Sequence, residues 1–363
     1  MEEKNEIIVV ILAGGMATRL SPLSERIPKP LMPIGSKPII HHIIYNFKEA
    51  GFSKFIILVG YKAEMIEDYF SNFPDINISY VTQLEQKGMA DAVLICSNFI
   101  KKNLTGEKKF RFFVTASDLL LTPSQINDMF NIYLRYESDI VLSLMKSLDV
   151  QMAEGFANIG IEKDFDMAME ARGLKIKKIL EKPNEKNIMS YFYSTPIYFF
   201  SNKIVEYLGK VSESERGELE LQDAIQMAID NGNLVMGIDI FKKELKVEDI
   251  GKFHLTFLTD LITMNREYLR SLNSNSTHSI LLDNVIIGED VEIDTCIINE
   301  NCVVGDFTKL HNAILFRNVN LGVNVSLNNC IVVENTQIPD KYSGQNLLIM
   351  QNSDGELMEI EIS

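Results

Sequence analysis

The chain has 363 residues, 46% of them hydrophobic, and a formal net charge of −15 from 35 Lys and Arg against 50 Asp and Glu. That acidic balance excludes a general affinity for nucleic acid or an anionic membrane, both of which need a basic excess, so any cation that matters must act locally. A single hydrophobic core usually stops growing at about 250 to 300 residues, and two domains are expected.

The first residues, MEEKNE, are acidic, and the apolar run after them is too short to span a bilayer, so a cytoplasmic protein is expected. From there strand-like and helix-like segments alternate. IIVVILA is a buried strand, PIIHHIIYNFKEAG a helix ending on Gly51, KFIILVG a second strand, KAEMIEDYF a helix and ISYVTQ a third strand. MADAVLICSNFI reads as a helix, RFFVTASDLLL as a strand with polar residues at its end, PSQINDMFNIYLRYE as a helix opened by Pro123, and DIVLSLMK as a strand. LKIKKILEKP and YFYSTPIYFF have strand periodicity, ELELQDAIQMAIDNG is an amphipathic helix closed by Gly232, and FHLTFLTDLITMNREYLRSL is helical. The pattern predicts an α/β fold, with a Rossmann-like, mainly parallel sheet that becomes mixed in its later part and is flanked by helices.

The polar run NSNSTHS follows, and beyond it there is no room for helices. Ile287 and Ile293, Val304 and Leu310, and Leu321 and Leu327 are each six apart, with Gly288, Gly305 and Gly322 after the first member of each pair. A period of six with an inward aliphatic predicts a C-terminal left-handed parallel β-helix, whose flat faces each take about one hexapeptide. The expected divisions are an α/β domain at 1–272, the β-helix at 273–340 and a hairpin or cap at 341–363, turning at Asp354 and Gly355. The four cysteines, Cys96, Cys296, Cys302 and Cys330, show neither CxxC spacing nor a dense framework and are expected as buried apolar residues, with no disulfide or structural zinc.

The stretch GGMATRLSPLSERIPKPLMPI begins directly after the first strand. Gly14 and Gly15 let backbone N–H groups approach an anion with no Cβ in the way. Arg19 is able to fork two phosphate oxygens, and Lys29, held between Pro28 and Pro30, adds a point charge on a stiffened segment. Together they predict a polyphosphate pocket at the C-terminal edge of the sheet, and the pattern is not the Walker one, which needs GK followed by Ser or Thr.

This stretch closely resembles the signature of the sugar-phosphate nucleotidylyltransferases, which make nucleotide sugars and release pyrophosphate. QLEQKGMADAV resembles that family's nucleobase segment, SDLL its first metal-binding strand end, EKP its sugar-phosphate segment and EDIG its second metal-binding turn, all in the family's order. A hexapeptide-repeat domain is also common there. The resemblance implies transfer of a nucleotidyl group from an NTP to a hexose 1-phosphate. It assigns Mg²⁺ to Asp118 and Asp249, the leaving pyrophosphate to Arg19, the NTP phosphates to Lys29, and the sugar phosphate to Lys182. Glu181 takes a sugar hydroxyl, the Gly155 backbone faces the sugar, and the nucleotide lies against Leu12, Gly14, Gly15, Gln83 and Gly88. An amide at Gln83 suits the imide edge of uracil or thymine, so UTP or dTTP with glucose 1-phosphate is preferred, with mannose 1-phosphate guanylyl transfer as the alternative.

The family usually has Gly at the positions of Ala17, Ser117 and Pro196. Those departures admit a catalytically silent paralogue that binds a nucleotide sugar, although such a subunit has no chemical reason to keep Arg19, Lys29, Asp118, Lys182 and Asp249. The repeat domain is expected to serve homo-oligomer assembly rather than acyl transfer, for which it offers only His311. His41 and His42 read as packing groups, and His254, His278 and His311 show no metal-ligand spacing.

Overall fold

The computed structural model describes residues 2–105, 109–162, 173–272 and 279–362. The expected linker at 273–278, His278 included, lies outside the described residues. The chain divides into two compact units, Met1–Met16 with Ile40–Ile250 and Ala17–Ile39 with Gly251–Ser363.

The first unit is built on one sheet of nine strands. They are β1 (Ile8–Ala13), β2 (Lys54–Val59), β3 (Asn77–Thr82), β4 (Arg111–Ala116) and β5 (Ile140–Lys146), then β6 (Ala157–Ile161), β7 (Leu174–Leu180), β8 (Phe192–Ser201) and β9 (Val235–Glu244). Their spatial order is β3-β2-β1-β4-β8-β5-β9-β7-β6. β1 to β4 pair in parallel, β8 runs against both β4 and β5, and β9 pairs in parallel with β5. Consequently β1, β2, β3, β4, β5 and β9 all point their C-terminal ends at the same edge. The Rossmann-like, mainly parallel mixed sheet is borne out.

The central strands are apolar throughout because helices cover both faces. On one face Ile8, Val10, Phe112, Val114, Tyr198 and Phe200 share a core with Val93 and Cys96 of α3 (Met89–Phe99) and with Ile225 of α5 (Leu221–Asp230). On the other, Phe113 meets the rings of Phe47 from α1 (Ile39–Glu49), Phe52 and Phe199 edge to face. α2 (Ala63–Ser71) buries Ile66 and Phe70. α4 (Pro123–Tyr136) starts on a full capping box, Thr122 accepting the Gln125 N–H while the Gln125 side chain accepts that of Thr122. β6 and β9 are additions to the pattern read from the sequence. Gly237 and Asp239 interrupt β9, and only pairing with β5 and β7 makes it a strand.

In the second unit α6 (Leu258–Leu272) begins five residues later than its periodicity suggests, because the Asp260 carboxylate accepts the N–H groups of Thr256 and Phe257 and turns the chain there. From Ile280 onward short strands stack into three parallel sheets at an offset of 17 residues, the arrangement of a parallel β-helix. Since 17 is one less than three hexapeptides, one face of each coil is a residue short. Left-handed residues mark the corners, as at Asn301, Phe307 and Asn312. At one corner Asn284, Asn301, Asn318 and Asn335 stack amide to amide, and Asn312, Asn329 and Asn346 do so at another. Val304, Leu310, Leu321 and Leu327 point inward and are buried with Cys296, Cys302 and Cys330. The chain ends in a hairpin, Leu347–Gln351 against Leu357–Glu361.

Candidate active site

Most of the expected site residues lie in the first unit, at the ends of the strands that share an edge. Gly14 and Gly15 follow β1, Gln83 follows β3, Asp118 lies just past β4, and Asp249 sits in the turn Val247–Ile250 beyond β9. The Ser117 N–H donates to the Leu12 carbonyl at 3.2 Å, tying the Asp118 strand end to β1. The Leu245 N–H donates to the Lys146 carbonyl at 2.8 Å, which holds the chain leading to Asp249 against the end of β5.

Around Gly14 the polar groups are already committed. Its carbonyl accepts the Tyr61 N–H at 3.2 Å and the Gln86 side-chain amide at 2.7 Å. Gly60 approaches so closely that a Cβ there would lie 2.9 Å from that carbonyl oxygen. Gln83 is 8% exposed; its Nε2 donates to the Asp91 Oδ2 at 2.8 Å and its Oε1 faces Gly14. Gly15 has open space in front of it.

Gly88 has φ +112°, and a Cβ would lie 2.6 Å from the Leu219 backbone. The reason is a backbone clasp, in which the Leu219 N–H donates to the Lys87 carbonyl at 2.7 Å and the Ala90 N–H to the Leu219 carbonyl at 2.9 Å. The sequence reading placed Leu219 inside the helix ELELQDAIQMAIDNG, but the helix begins at Leu221, because the backbone of Leu219 is engaged by Lys87 and Ala90.

The residues expected on the sugar side, Gly155, Glu181 and Lys182, lie on neighbouring segments. Leu180 pairs with Asn158, which sets Glu181 and Lys182 beside the segment carrying Gly155. Asn158 is fully buried and donates to the carbonyls of Ser190 and Phe192 while accepting the Met189 N–H, so it locks this corner. Lys182 adopts φ 40°, a strained conformation for a side chain of its kind. Burial pushes the Glu181 carboxyl up to about 7, with Lys182 opposing the rise and Glu220 adding to it. Arg216, which the sequence reading missed, holds Glu220 at 2.7 Å and lies 3.7 Å from Glu181. Its signal was an arginine in the acidic run SESERGELE.

Asp118 and Asp249 are hard oxygen donors on one sheet edge, a donor set that fits Mg²⁺. One oxygen of Asp249 is used to accept the Lys246 N–H at 3.0 Å. Ser117 is buried beside Asp118, and Pro196 occupies the place where the pairing of β8 with β5 shifts register between Ser194 and Tyr198. A proline costs little there because that part of the ladder is already interrupted, and the Ser143 hydroxyl donates to the carbonyl of Ile197 across the gap.

Arg19 and Lys29 belong to the second unit. Ala17 sits in the left-handed region at φ 52°, which explains why a glycine suits this position. Arg19 follows it in a short turn, with its guanidinium 5.8 Å from the centre of the Phe257 ring. Lys29 opens a 3₁₀ turn between its prolines and is half-buried. Asn265 of α6, 3% exposed, holds the end of this loop by accepting the Gly35 N–H at 2.7 Å and donating to the Pro33 carbonyl at 2.9 Å. Arg26 donates to the Gln351 carbonyl at 2.6 Å, fastening the loop to the C-terminal hairpin. A lone asparagine on the apolar stripe of a helix was the only sequence signal for Asn265. His41 is buried, stacked on Tyr45 and bonded to the Tyr69 hydroxyl at 2.9 Å, in the packing role expected of it.

The family model described as nucleotidyl transferase matches residues 8–269, and the chain belongs to that family. It is 35% identical over 291 residues to a Bifunctional protein GlmU of Methanococcus maripaludis, covering 78% of this chain and 61% of that relative. The chain thus spans about three fifths of the length of these archaeal relatives. It is 28% identical to a putative UTP–glucose-1-phosphate uridylyltransferase of Bacillus subtilis, covering 61% of this chain and 84% of the relative. A crystal structure of apo UDP-glucose pyrophosphorylase shares the fold with a TM-score of 0.59 at 20% identity, over 74% of this chain and 99% of that one. Among the described residues no helix is long and apolar enough to cross a membrane.

Proposed function

We propose that this protein is a cytoplasmic sugar-1-phosphate nucleotidylyltransferase, joining an NTP and a hexose 1-phosphate into a nucleotide sugar with release of pyrophosphate. The observation that carries the reading is the family match together with Gly14, Gln83 and Asp118 at the ends of parallel strands on one sheet edge. In this reading residues 1–272 are the transferase domain, and the β-helix with its terminal hairpin serves assembly of a homo-oligomer.

The sugar phosphate attacks the α-phosphorus of the NTP in line with the leaving pyrophosphate. A phosphate monoester, with a second pKa near about 6, is already ionised at neutral pH, so no strong general base is needed. Catalysis falls to positioning and to relief of charge between two polyanions. Asp118 and Asp249 would hold Mg²⁺, which neutralises phosphate charge and orients the α-phosphate when bound. Lys29 takes the NTP phosphates, Arg19 takes the pyrophosphate as it leaves, and Lys182 binds the sugar phosphate. Glu181 accepts a sugar hydroxyl, and the Gly155 backbone faces the ring. The Gly15 N–H serves the phosphates, with Leu12, Gly14, Gln83 and Gly88 around the base.

UTP with glucose 1-phosphate is the leading pair, supported by the uridylyltransferases among the relatives and by a Gln83 acceptor facing Gly14. The experiment is pyrophosphate release with Mg²⁺ across the common NTPs and several sugar 1-phosphates. A productive pair is expected with UTP or dTTP. No release from any pair would overturn the reaction, and acetyl-CoA consumption without it would shift the activity to the β-helix.

A further inference from the structure

We infer that Asp91 is a specificity-determining positioning residue, which locks the Gln83 amide so that only its carbonyl oxygen faces an incoming base. This rests on the reading that the base binds between Gly14 and Gly88.

A glutamine amide in an isolated pocket is ambivalent, because a half-turn about its last bond exchanges donor for acceptor. Here the ambiguity is removed. The Gln83 Nε2 lies 2.8 Å from the Asp91 Oδ2, and an ionised carboxylate only accepts, so the NH₂ must point at Asp91 and Oε1 must point away from it. Oε1 faces Gly14, lying 3.6 Å from where a Cβ on that glycine would stand. The Gln83 N–H is spent on the Val59 carbonyl at 2.9 Å, so the residue is fixed at both ends. Asp91 is itself placed by α3, whose first turn is held by the Leu219 clasp described above.

An acceptor at this position complements a ring N–H. Uracil and thymine offer one at N3, and guanine offers one at N1. Cytosine at N3 and adenine at N1 present a lone pair instead, which opposes the Gln83 oxygen and leaves both desolvated. A buried mismatch of this kind discriminates more strongly than shape does. Cytosine and uracil are nearly the same size, so steric fit alone does not separate them.

The test compares kcat/KM for UTP and for CTP, with glucose 1-phosphate and Mg²⁺, in the full chain and in Asp91→Asn. The asparagine is isosteric and offers Gln83 either a donor or an acceptor, which frees the half-turn. The expected result is a UTP-over-CTP preference that drops tenfold or more, mainly by a gain with CTP. In a Gln83→Ala background the same substitution is expected to change the ratio less than twofold, because Asp91 acts only through Gln83. An unchanged ratio in Asp91→Asn, at an unchanged Tm, overturns the inference. Should the wild type release no pyrophosphate, the reaction reading fails, while calorimetric binding of UTP and CTP to both proteins still reads the lock. The same fall in preference supports it, and equal preference or no binding overturns it.

Discussion

The nine-stranded sheet and the β-helix meet the same backbone problem in opposite ways. Both contain non-glycine residues in the left-handed region, where each costs roughly 1–2 kcal/mol. In the β-helix such residues recur at every corner, and at Asn301 and Asn318 the side-chain amide bonds its equivalent one coil away. At two of the three corners the repeat supplies such an amide ladder where it creates the strain. In the sheet unit Lys182 stands in that conformation with no such ladder, beside Glu181 and just past the Leu180–Asn158 pair. Periodic left-handed residues are structural in the β-helix, whereas isolated ones, which include Lys62, Glu137 and Lys242 as well as Lys182, each need a local reason.

That contrast breaks most visibly at Asp118. Asp118→Asn is expected to lower kcat by roughly 10³-fold with the unfolding transition unmoved, since in the proposed site the group serves charge rather than packing. Full activity in the variant removes the metal assignment. The glycines give the next largest contrast. A Cβ at Gly305 would lie 2.4 Å from the Gly322 carbonyl oxygen of the adjacent coil, so Gly305→Ala is expected to destabilise the β-helix by about 3 kcal/mol in urea unfolding. A Cβ at Gly155 would have nothing within 4 Å, and Gly155→Ala is expected to stay within about 0.5 kcal/mol while raising KM for the sugar phosphate. Equal stability losses at the two positions would erase the distinction between a structural and a site glycine.

A smaller effect is expected inside the amide ladder. Asn318→Ala loses two amide bonds and keeps the left-handed backbone, for about 1–2 kcal/mol, and Asn318→Gly recovers part of that because glycine adopts φ 60° freely. No difference between the two variants would show that the ladder, rather than the backbone, carries the whole effect. The smallest change concerns pH. Burial raises the folded Glu181 carboxyl to about 7 from an ordinary 4.5, so between those values the folded state keeps a proton that the unfolded chain has released. Stability therefore falls as pH rises through that window, and Glu181→Gln is expected to flatten the slope of Tm against pH. A wild-type Tm that rises across the same window contradicts the burial argument.

Sequence alone determined the local elements and the repeat. β1 and β2 were legible as nearly unbroken apolar runs because strands covered on both faces have no polar side. The aliphatic pairs six apart carried the β-helix because every coil faces the same interior. GGMATR and PKP stood out as candidate chemistry because glycine and cations in one short loop have few packing uses. What the tertiary structure decided are relations between segments far apart in sequence. β9 is a strand only through its neighbours, since Gly237 and Asp239 spoil its apolar pattern. Leu219 at Gly88, Asn265 at Pro33 and Gly35, and Asp91 at Gln83 are hydrogen bonds whose partners no periodicity could announce. A composition or a period records what a residue is made to face on average, whereas the direction of a donor depends on which particular acceptor the fold brings within 3 Å of it.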